Sequence, residues 1–385
     1  MKVPRQVSLK HLAIIVISTI LLTGFVFYVL AATPSSTFWI SPGVYPGAPS
    51  YTIFREDSNY FAKDANGEIE FSGTNASEII NNAIGSGYVN IFLKIGRYSL
   101  TAPIDLTGKR MVHIIGESAQ VVDITEGGSI LEIADNVNID AIIKNETSPV
   151  YGEIYLKDFA IYGNRGNNLA YGNGIYFYQN FMTTLDNVLV TSMINASFYF
   201  ESCEILRMYS CRGAYSQRGL YFESGGEHYV YAFSAPNNFE EGIYVYSTIG
   251  TTFLGVEAQI NQHGFSVSLS REVRIIGCRS SENDWDGLQF YDTENSTVAD
   301  SFFVGNSLGS ANTYYGIRVT DNASHNIFSG NQAYGNQQLM GFRELLDSDY
   351  NTIIGCRFEG TSKGISINGT NTHTIATWNG SNWIS

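Results

Sequence analysis

Gly219-Leu220-Tyr221-Phe222, Gly242-Ile243-Tyr244-Val245, Gly264-Phe265-Ser266-Val267 and Gly287-Leu288-Gln289-Phe290 follow one another at intervals of 23, 22 and 23 residues. Each is a small residue followed by apolar positions that alternate, the pattern of a strand with one buried face. The same motif lies upstream at Gly174-Ile175-Tyr176-Phe177 and Ala196-Ser197-Phe198-Tyr199-Phe200. Downstream it returns as Gly316-Ile317-Arg318-Val319, Gly341-Phe342-Arg343 and Gly364-Ile365-Ser366-Ile367, after one long interval of 29 residues and then 25 and 23. A short motif at a nearly fixed period is the signature of a solenoid.

The content of each unit selects the kind of solenoid. No unit holds a leucine and asparagine ladder or a 3.6-residue pattern. Each holds two or three apolar runs of three to five residues, separated by Gly, Asn, Ser and Asp. A second run recurs as Asn187-Val188-Leu189-Val190, Ile205-Leu206-Arg207-Met208, Thr252-Phe253-Leu254, Arg274-Ile275-Ile276, Asn326-Ile327-Phe328 and Thr352-Ile353-Ile354. Short strands joined by tight turns and stacked as parallel sheets satisfy this pattern, with the whole coil serving as the crossover. The chain is therefore expected to be an all-β coil over residues 107–370, with the nine motifs in register in one sheet. Aromatic residues are 14% of the chain and charged residues 15%, which suits a sheeted cylinder with an aromatic interior and an uncharged Asn, Ser, Thr and Gly surface.

The flanks read differently. Lys2, Arg5 and Lys10 precede an uncharged stretch from Leu12 to Leu30, and no further Lys or Arg appears before Arg55. That asymmetry places the N-terminus in the cytoplasm and the remainder outside, at the cell surface. The nineteen-residue stretch has bilayer-spanning length and favours a retained, transmembrane signal anchor. Leu30-Ala31-Ala32 offers a cleavage site for the alternative of a secreted, extracellular chain. Seven Asn-X-Ser/Thr sequons, at Asn75, Asn145, Asn195, Asn295, Asn322, Asn368 and Asn379, suit an exported glycoprotein. Residues 33–60 carry Pro34, Pro42, Pro46 and Pro49 and are read as a spacer without regular structure. Residues 61–106 form the entry: Asn75 with Ser77 and Glu78 makes a helix start, and Ala76, Ile79, Ile80, Ala83 and Ile84 share one face of a short capping helix. Asn371–Ser385 reads as a C-terminal cap around Asn379-Gly380. Cys211, Cys278 and Cys356 fall at one position of non-adjacent coils, at least ~14 Å apart, so buried reduced thiols are expected.

The formal net charge is −14, and the segment outside the apolar stretch carries 19 basic against 36 acidic residues, or −17. Nucleic acid and anionic lipid surfaces are disfavoured as partners. Neutral glycans, and acidic glycans bridged by a cation, stay open.

The stretches Phe61-Ala62-Lys63-Asp64-Ala65, Phe71-Ser72-Gly73-Thr74, Ile79-Ile80-Asn81-Asn82-Ala83-Ile84, Ile91-Phe92-Leu93-Lys94, Gly96-Arg97-Tyr98 and Ile114-Ile115-Gly116-Glu117 resemble the N-terminal portion of the pectate-lyase-like right-handed parallel β-helix superfamily. More narrowly, they resemble its rhamnogalacturonase or epimerase-like pectate lyase domains. The resemblance implies a right-handed β-helix over nearly all of residues 61–370 and a polysaccharide as partner. It does not imply one reaction, since the superfamily includes lyases, hydrolases, epimerases, tailspikes and proteins without activity.

The residues immediately before the motifs form a column: Asn173, Asn195, Arg218, Glu241, His263, Asp286, Tyr315, Met340 and Lys363. Regular stacking puts Glu241, His263 and Asp286 on successive rungs, with the carboxylates about 9–10 Å apart around an imidazole. That spacing suits an inverting glycoside hydrolase and requires all three side chains to face one open strip. Glu240, Asp284 and Glu282 add acid nearby, Arg218 a cation, and Trp285 a stacking platform, which makes Trp285, Arg218, Glu240 and Asp284 the candidate substrate-binding residues. Gln262-His263-Gly264 is similar to the polygalacturonase histidine motif, Asp284-Trp285-Asp286-Gly287 to its Asn-Thr-Asp-Gly motif, and Gly316-Ile317-Arg318-Val319-Thr320 to its basic motif, which implies a catalytic role for Arg318. The departures are in order and content: the aspartate motif follows the histidine, Glu240-Glu241 replaces paired aspartates, and Thr320 replaces Lys. Resemblance to a calcium-type pectate lyase would instead imply clustered acidic calcium ligands and an arginine base, for which Glu282, Asp284 and Asp286 with Arg279 or Arg318 are the residues on offer. Polar residues at turns also serve structure alone. A polysaccharide hydrolase or lyase, a glycan-binding surface protein and a structural or adhesive stalk are thus the three readings.

Overall fold

The computed structural model describes residues 48–119, 127–345 and 347–384. Residues 12–30 lie outside these, as does the spacer up to residue 47. No helix among the described residues is long and apolar enough to cross a membrane.

The chain winds as a right-handed parallel β-helix with three strand faces. In the first sheet the motifs stack in register, Ile175 with Phe198, Leu220, Ile243, Phe265, Leu288, Ile317, Phe342 and Ile365. A second sheet stacks Val230, Phe253, Ile275, Val298, Phe328 and Ile353. A third stacks Ala235, Ala258, Ser280, Phe303, Ala333 and Phe358. These residues point inward and, apart from the half-buried Ile365 at the C-terminal end, are buried, so one continuous core runs the length of the coil. Phe177, Phe200, Phe222, Val245, Val267, Phe290 and Val319 line it two positions further along each first-sheet strand. Each coil buries its own apolar face only against its neighbours, which is why the period has to be kept.

The motif glycines mark a packing constraint. A Cβ on Gly219, Gly242, Gly264, Gly287 or Gly316 would lie 2.9, 2.7, 2.9, 2.5 or 2.9 Å from the side-chain amide nitrogen of Asn238, Asn261, Asn283, Asn306 or Gln338. Those amides form a buried ladder up the turn between the third and first sheets. Asn238 N donates to Asn261 Oδ1 (2.8 Å), Asn261 N to Asn283 Oδ1 (2.9 Å), Asn283 N to Asn306 Oδ1 (3.1 Å) and Asn306 N to Gln338 Oε1 (3.1 Å). A turn inside a stacked coil leaves backbone N–H groups that no strand can accept, and the amide oxygen of the next coil satisfies them. Gly264→Ala should therefore lower stability by roughly 2–3 kcal/mol, read as a lower urea midpoint. A Cβ there would sit 1.9 Å from Ser280 Oγ and 2.6 Å from Gly287 O. An unchanged midpoint would refute the packing account.

Four readings of the sequence need correction. Ser197, not Ala196, occupies the glycine position, because Ile175 pairs with Phe198. Asn195 accordingly leaves the polar column, where Ala196 stands opposite Arg218. Ser197 fits because its hydroxyl joins Ser216 Oγ at 2.8 Å where other coils place an amide. Second, residues 51–60 are not a spacer: Tyr51–Glu56 and Asn59–Asp64 form an antiparallel hairpin around Asp57-Ser58. The prolines end at Pro49, and Ile53, Tyr60 and Ala62 are buried beyond them. Third, parallel stacking starts before residue 107, with Val89–Leu93 paired to Val112–Gly116. Fourth, the polar residues are not confined to the surface, since the amide ladder is buried.

The capping helix runs Ala76–Ile84, with Asn75 Oδ1 accepting from Ser77 N (3.1 Å) and Glu78 N (3.4 Å) and Ile79, Ile80, Ala83 and Ile84 buried. At the other end Thr377–Trp378 and Trp383–Ile384 pair antiparallel, and Asn379 Oδ1 accepts from Ser381 N and Asn382 N in the turn between them. All four cysteines are buried and free.

Candidate functional site

Strand alternation decides which side chains leave the core. Ile317 and Val319 are fully buried in the lumen, so Arg318 between them projects from the outer face of the first sheet. The same outward row contains Tyr176, Tyr199, Tyr221, Tyr244, Ser266, Gln289, Arg318 and Arg343. The four tyrosines form a ladder with centroid spacings of 5.0, 4.5 and 4.9 Å. Glu201 Oε2 accepts from the Tyr176 and Tyr199 hydroxyls, and Glu223 Oε2 from those of Tyr199 and Tyr221.

Glu241, His263 and Asp286 do lie on successive rungs, but the two carboxylates have different partners. Glu241 Oε2 accepts from Arg218 Nε at 2.7 Å, and Arg218 also pairs with Glu240, whose Oε1 accepts from Gln217 Nε2 at 2.6 Å. The Arg218 guanidinium lies over the Tyr221 and Tyr244 rings at 5.5 and 5.3 Å. Arg218, Glu240 and Glu241 thus form one closed ion-paired group. The Glu241 carboxylate of the expected pair is engaged by Arg218.

His263, Asp286 and Arg318 form a second group. Asp286 Oδ2 is 4.0 Å from His263 Nδ1 and 3.7 Å from Arg318 Nη1, while Oδ1 accepts from Tyr315 N at 2.8 Å. Asp286 is completely buried and His263 is 7% exposed, against the expectation of an open strip. Their burial is not luminal, because Arg318 reaches Asp286 from the outer face. The 29-residue interval accounts for the cover. It adds a connection over residues 305–314 whose Ser307 N, Leu308 N and Gly309 N donate to Trp285 O, Asn283 O and Asp284 O. Its Tyr314 ring stacks on Trp285 at 5.4 Å, and Trp285 meets the His263 ring edge-on at 5.0 Å.

Burial sets the protonation of this group. It pushes the Asp286 carboxyl up to about 6, against the opposing pull of the Tyr315 N–H and Arg318, and pushes His263 down to about 4, with Arg318 acting the same way. At neutral pH the imidazole is therefore uncharged, and its 4.0 Å approach to Asp286 is not an ion pair. Neither Asp286 Oδ2 nor His263 Nδ1 has a hydrogen-bond partner among the described residues. A buried carboxylate oxygen without a donor is costly, and a carboxyl tuned towards neutrality is suited to proton transfer.

The remaining candidates are apart. Glu282 and Asp284 are exposed, and Arg279 lies 3.9 Å from Glu257. Among the described residues no group of three His, Cys, Asp or Glu side chains is placed to hold a metal ion.

A family model for the right-handed β-helix region matches residues 173–333. The fold is a pectate-lyase-like right-handed parallel β-helix. The A-module of the mannuronan C-5 epimerase AlgE4 from Azotobacter vinelandii is similar in structure, with a TM-score of 0.64, 14% identity and coverage of 78% of this chain and 96% of that one. Tailspike protein 2 of the Escherichia coli O157:H7 bacteriophage CAB120 gives 0.60 and 13%, over 76% of this chain and 44% of that one. The DFA-IIIase of Arthrobacter chlorophenolicus A6, as its C387A mutant with DFA-III, gives 0.60 and 11%, over 78% and 83%. No curated protein sequence matches the chain.

Proposed function

We propose that this protein acts on an acidic polysaccharide by proton transfer at Asp286. The observation that carries this reading is the buried Asp286 carboxyl, held near 6, with an unpartnered oxygen between a neutral imidazole and a guanidinium. Arg318 would hold the carboxylate of a uronate residue. Neutralising that charge acidifies the C–H bond on the adjacent carbon, and Asp286 Oδ2 takes the proton. The electron pair left behind either expels the neighbouring glycosidic oxygen, which takes up a proton and leaves an unsaturated chain end, or recaptures a proton on the opposite face. The first outcome is elimination and the second is inversion at that carbon. Both begin with one tuned base and one cation, which is what this group offers, and both take the final proton from water, whereas hydrolysis needs a second free carboxylate and Glu241 is engaged by Arg218. The epimerase among the similar structures supports this class by analogy of fold alone.

Access requires the 305–314 connection to move off Asp286, and that cover favours a second reading. A protein that only binds glycan would keep Asp286 as a buried brace for Tyr315. Export to the cell surface through residues 12–30 belongs to both readings. A panel of polyuronates and neutral polysaccharides separates them, with ultraviolet absorbance reporting unsaturated ends and proton NMR reporting inverted residues. Turnover of a polyuronate is expected. Retention of polymer without any chemical change would leave the binding reading.

A further inference from the structure

Arg318 and Arg343 stand opposite each other on adjacent rungs, about 4.8 Å apart along the coil axis. They line a cleft of about 490 Å³ with Thr320, Asp321, Leu345, Asp347 and Asn368. The two arginines differ in their surroundings. Arg318 faces Asp286, and Arg97, Arg218, Arg279 and Arg357 elsewhere also face carboxylates. Arg343 has no carboxylate within 4.0 Å among the described residues. Its Nη1 donates to Ser366 Oγ, and Asn368, with its amide nitrogen turned to Ile367 O, accepts from Nη2 at 3.2 Å. Its Nε is buried without a hydrogen-bond partner among the described residues.

A half-buried guanidinium without a directly paired carboxylate is costly; Arg165 and Arg207 are also half-buried outside any ion pair, but only Arg343 shares a cleft with a second arginine among the described residues. We propose that the cleft is a subsite for one uronate residue, next to the residue that reacts at Asp286. Arg343 takes its carboxylate, where a planar fork matches two oxygens. Asp321 and Asp347 line the same cleft and accept hydroxyls of the same sugar. Thr320 already turns its hydroxyl to Asp321 Oδ2 (2.8 Å), and Asp321 N lies 3.3 Å from Asp347 Oδ1, which fixes both acids as acceptors. The subsite rests on the acidic-polysaccharide reading and adds a second, non-reacting residue to it, placing the polymer along the coil axis towards the C-terminus.

Calorimetric titration of the intact chain tests this with trigalacturonate, trimannuronate and the neutral trimer galactotriose. At least one uronate trimer should bind at least tenfold more tightly than galactotriose, with an affinity that falls as salt rises. Arg343→Gln should weaken that binding at least tenfold, while Arg343→Lys recovers part of it. Equal binding of the neutral trimer, or unchanged uronate affinity in Arg343→Gln, overturns the subsite. Should Arg343→Gln fold poorly, modification of Arg343 by phenylglyoxal in the unaltered chain reads the same contact. Protection by the uronate trimer is expected, and absence of protection overturns the proposal. Binding and turnover are separate readouts. If Asp286→Asn turns over normally while Arg343→Gln loses binding, the subsite stands and the proton-transfer reading fails.

Discussion

Replacing Asp286 by asparagine should lower polyuronate turnover by roughly 10²–10⁴-fold, the range that a positioned acid/base contributes, without lowering stability. Asparagine keeps an oxygen for the Tyr315 N–H but cannot take a proton. The pH dependence follows from the raised carboxyl. Turnover in the unaltered protein should rise with pH through about 6, as Asp286 ionises and becomes a base. Stability runs the other way. Because the folded-state value lies above 3.8, the folded protein binds the proton more tightly than the unfolded chain. The stabilisation this gives is full at low pH and is lost as pH rises through about 6. Above that range the variant should therefore equal or exceed the unaltered protein in urea midpoint, by an amount on the order of 1–3 kcal/mol. An Asp286→Asn variant with full turnover ends the catalytic assignment. One with a large fall in midpoint at high pH supports the brace instead.

Replacing His228 by leucine should stabilise the protein, and more so in acid. His228 is fully buried in the core, stacked on Phe222 at 4.3 Å, with both ring nitrogens lacking partners among the described residues. An apolar side chain of similar size removes that penalty, worth about 1–3 kcal/mol at neutral pH. Burial also pushes the imidazole down to about 3. Between about 6.5 and about 3 the unfolded chain binds a proton that the folded protein excludes, so stability present above 6.5 is lost as the pH falls through that window. Near pH 4.5 the gain from leucine should grow by roughly 3 kcal/mol. His263 behaves in the same sense, and the raised carboxyls of Asp140, Asp286 and Glu344 in the opposite one. Comparing the two proteins at each pH cancels those contributions. A parallel pair of urea midpoint curves would show that His228 does not titrate on unfolding.

The outward-facing charges show where reading along the chain stops. The column before the motifs named Glu241, His263 and Asp286, and their rungs were correct, since register follows from a constant period. Their directions were not legible. Whether Glu241 turns back to Arg218 or forward to His263 depends on ion pairs between coils more than twenty residues apart. The cover on Asp286 was visible only as an interval of 29 residues, whose length marks an insertion and not its course. His228 and the cleft carried no motif, and Arg343 stood in the Gly341-Phe342-Arg343 repeat with no sign of its missing partner, because an unpartnered atom is defined by what surrounds it.

The architecture, in contrast, was written locally. A small residue, two inward apolar positions and a turn, repeated at one period, have a single economical solution in which every coil covers the next. That is why nine short motifs determined the parallel β-helix, the shared sheet and the buried thiols, and why Asn75 determined the capping helix. The hairpin at Tyr51–Asp64, the serine at position 197 and the asparagines drawn inside were decided by tertiary structure. A buried turn amide needs a partner from the neighbouring coil, and only the stacked fold supplies it. The same holds for the candidate site. The residues are in the sequence, but the desolvation that tunes Asp286 and His263, and the missing counter-charge at Arg343, exist only once the coils have closed around them.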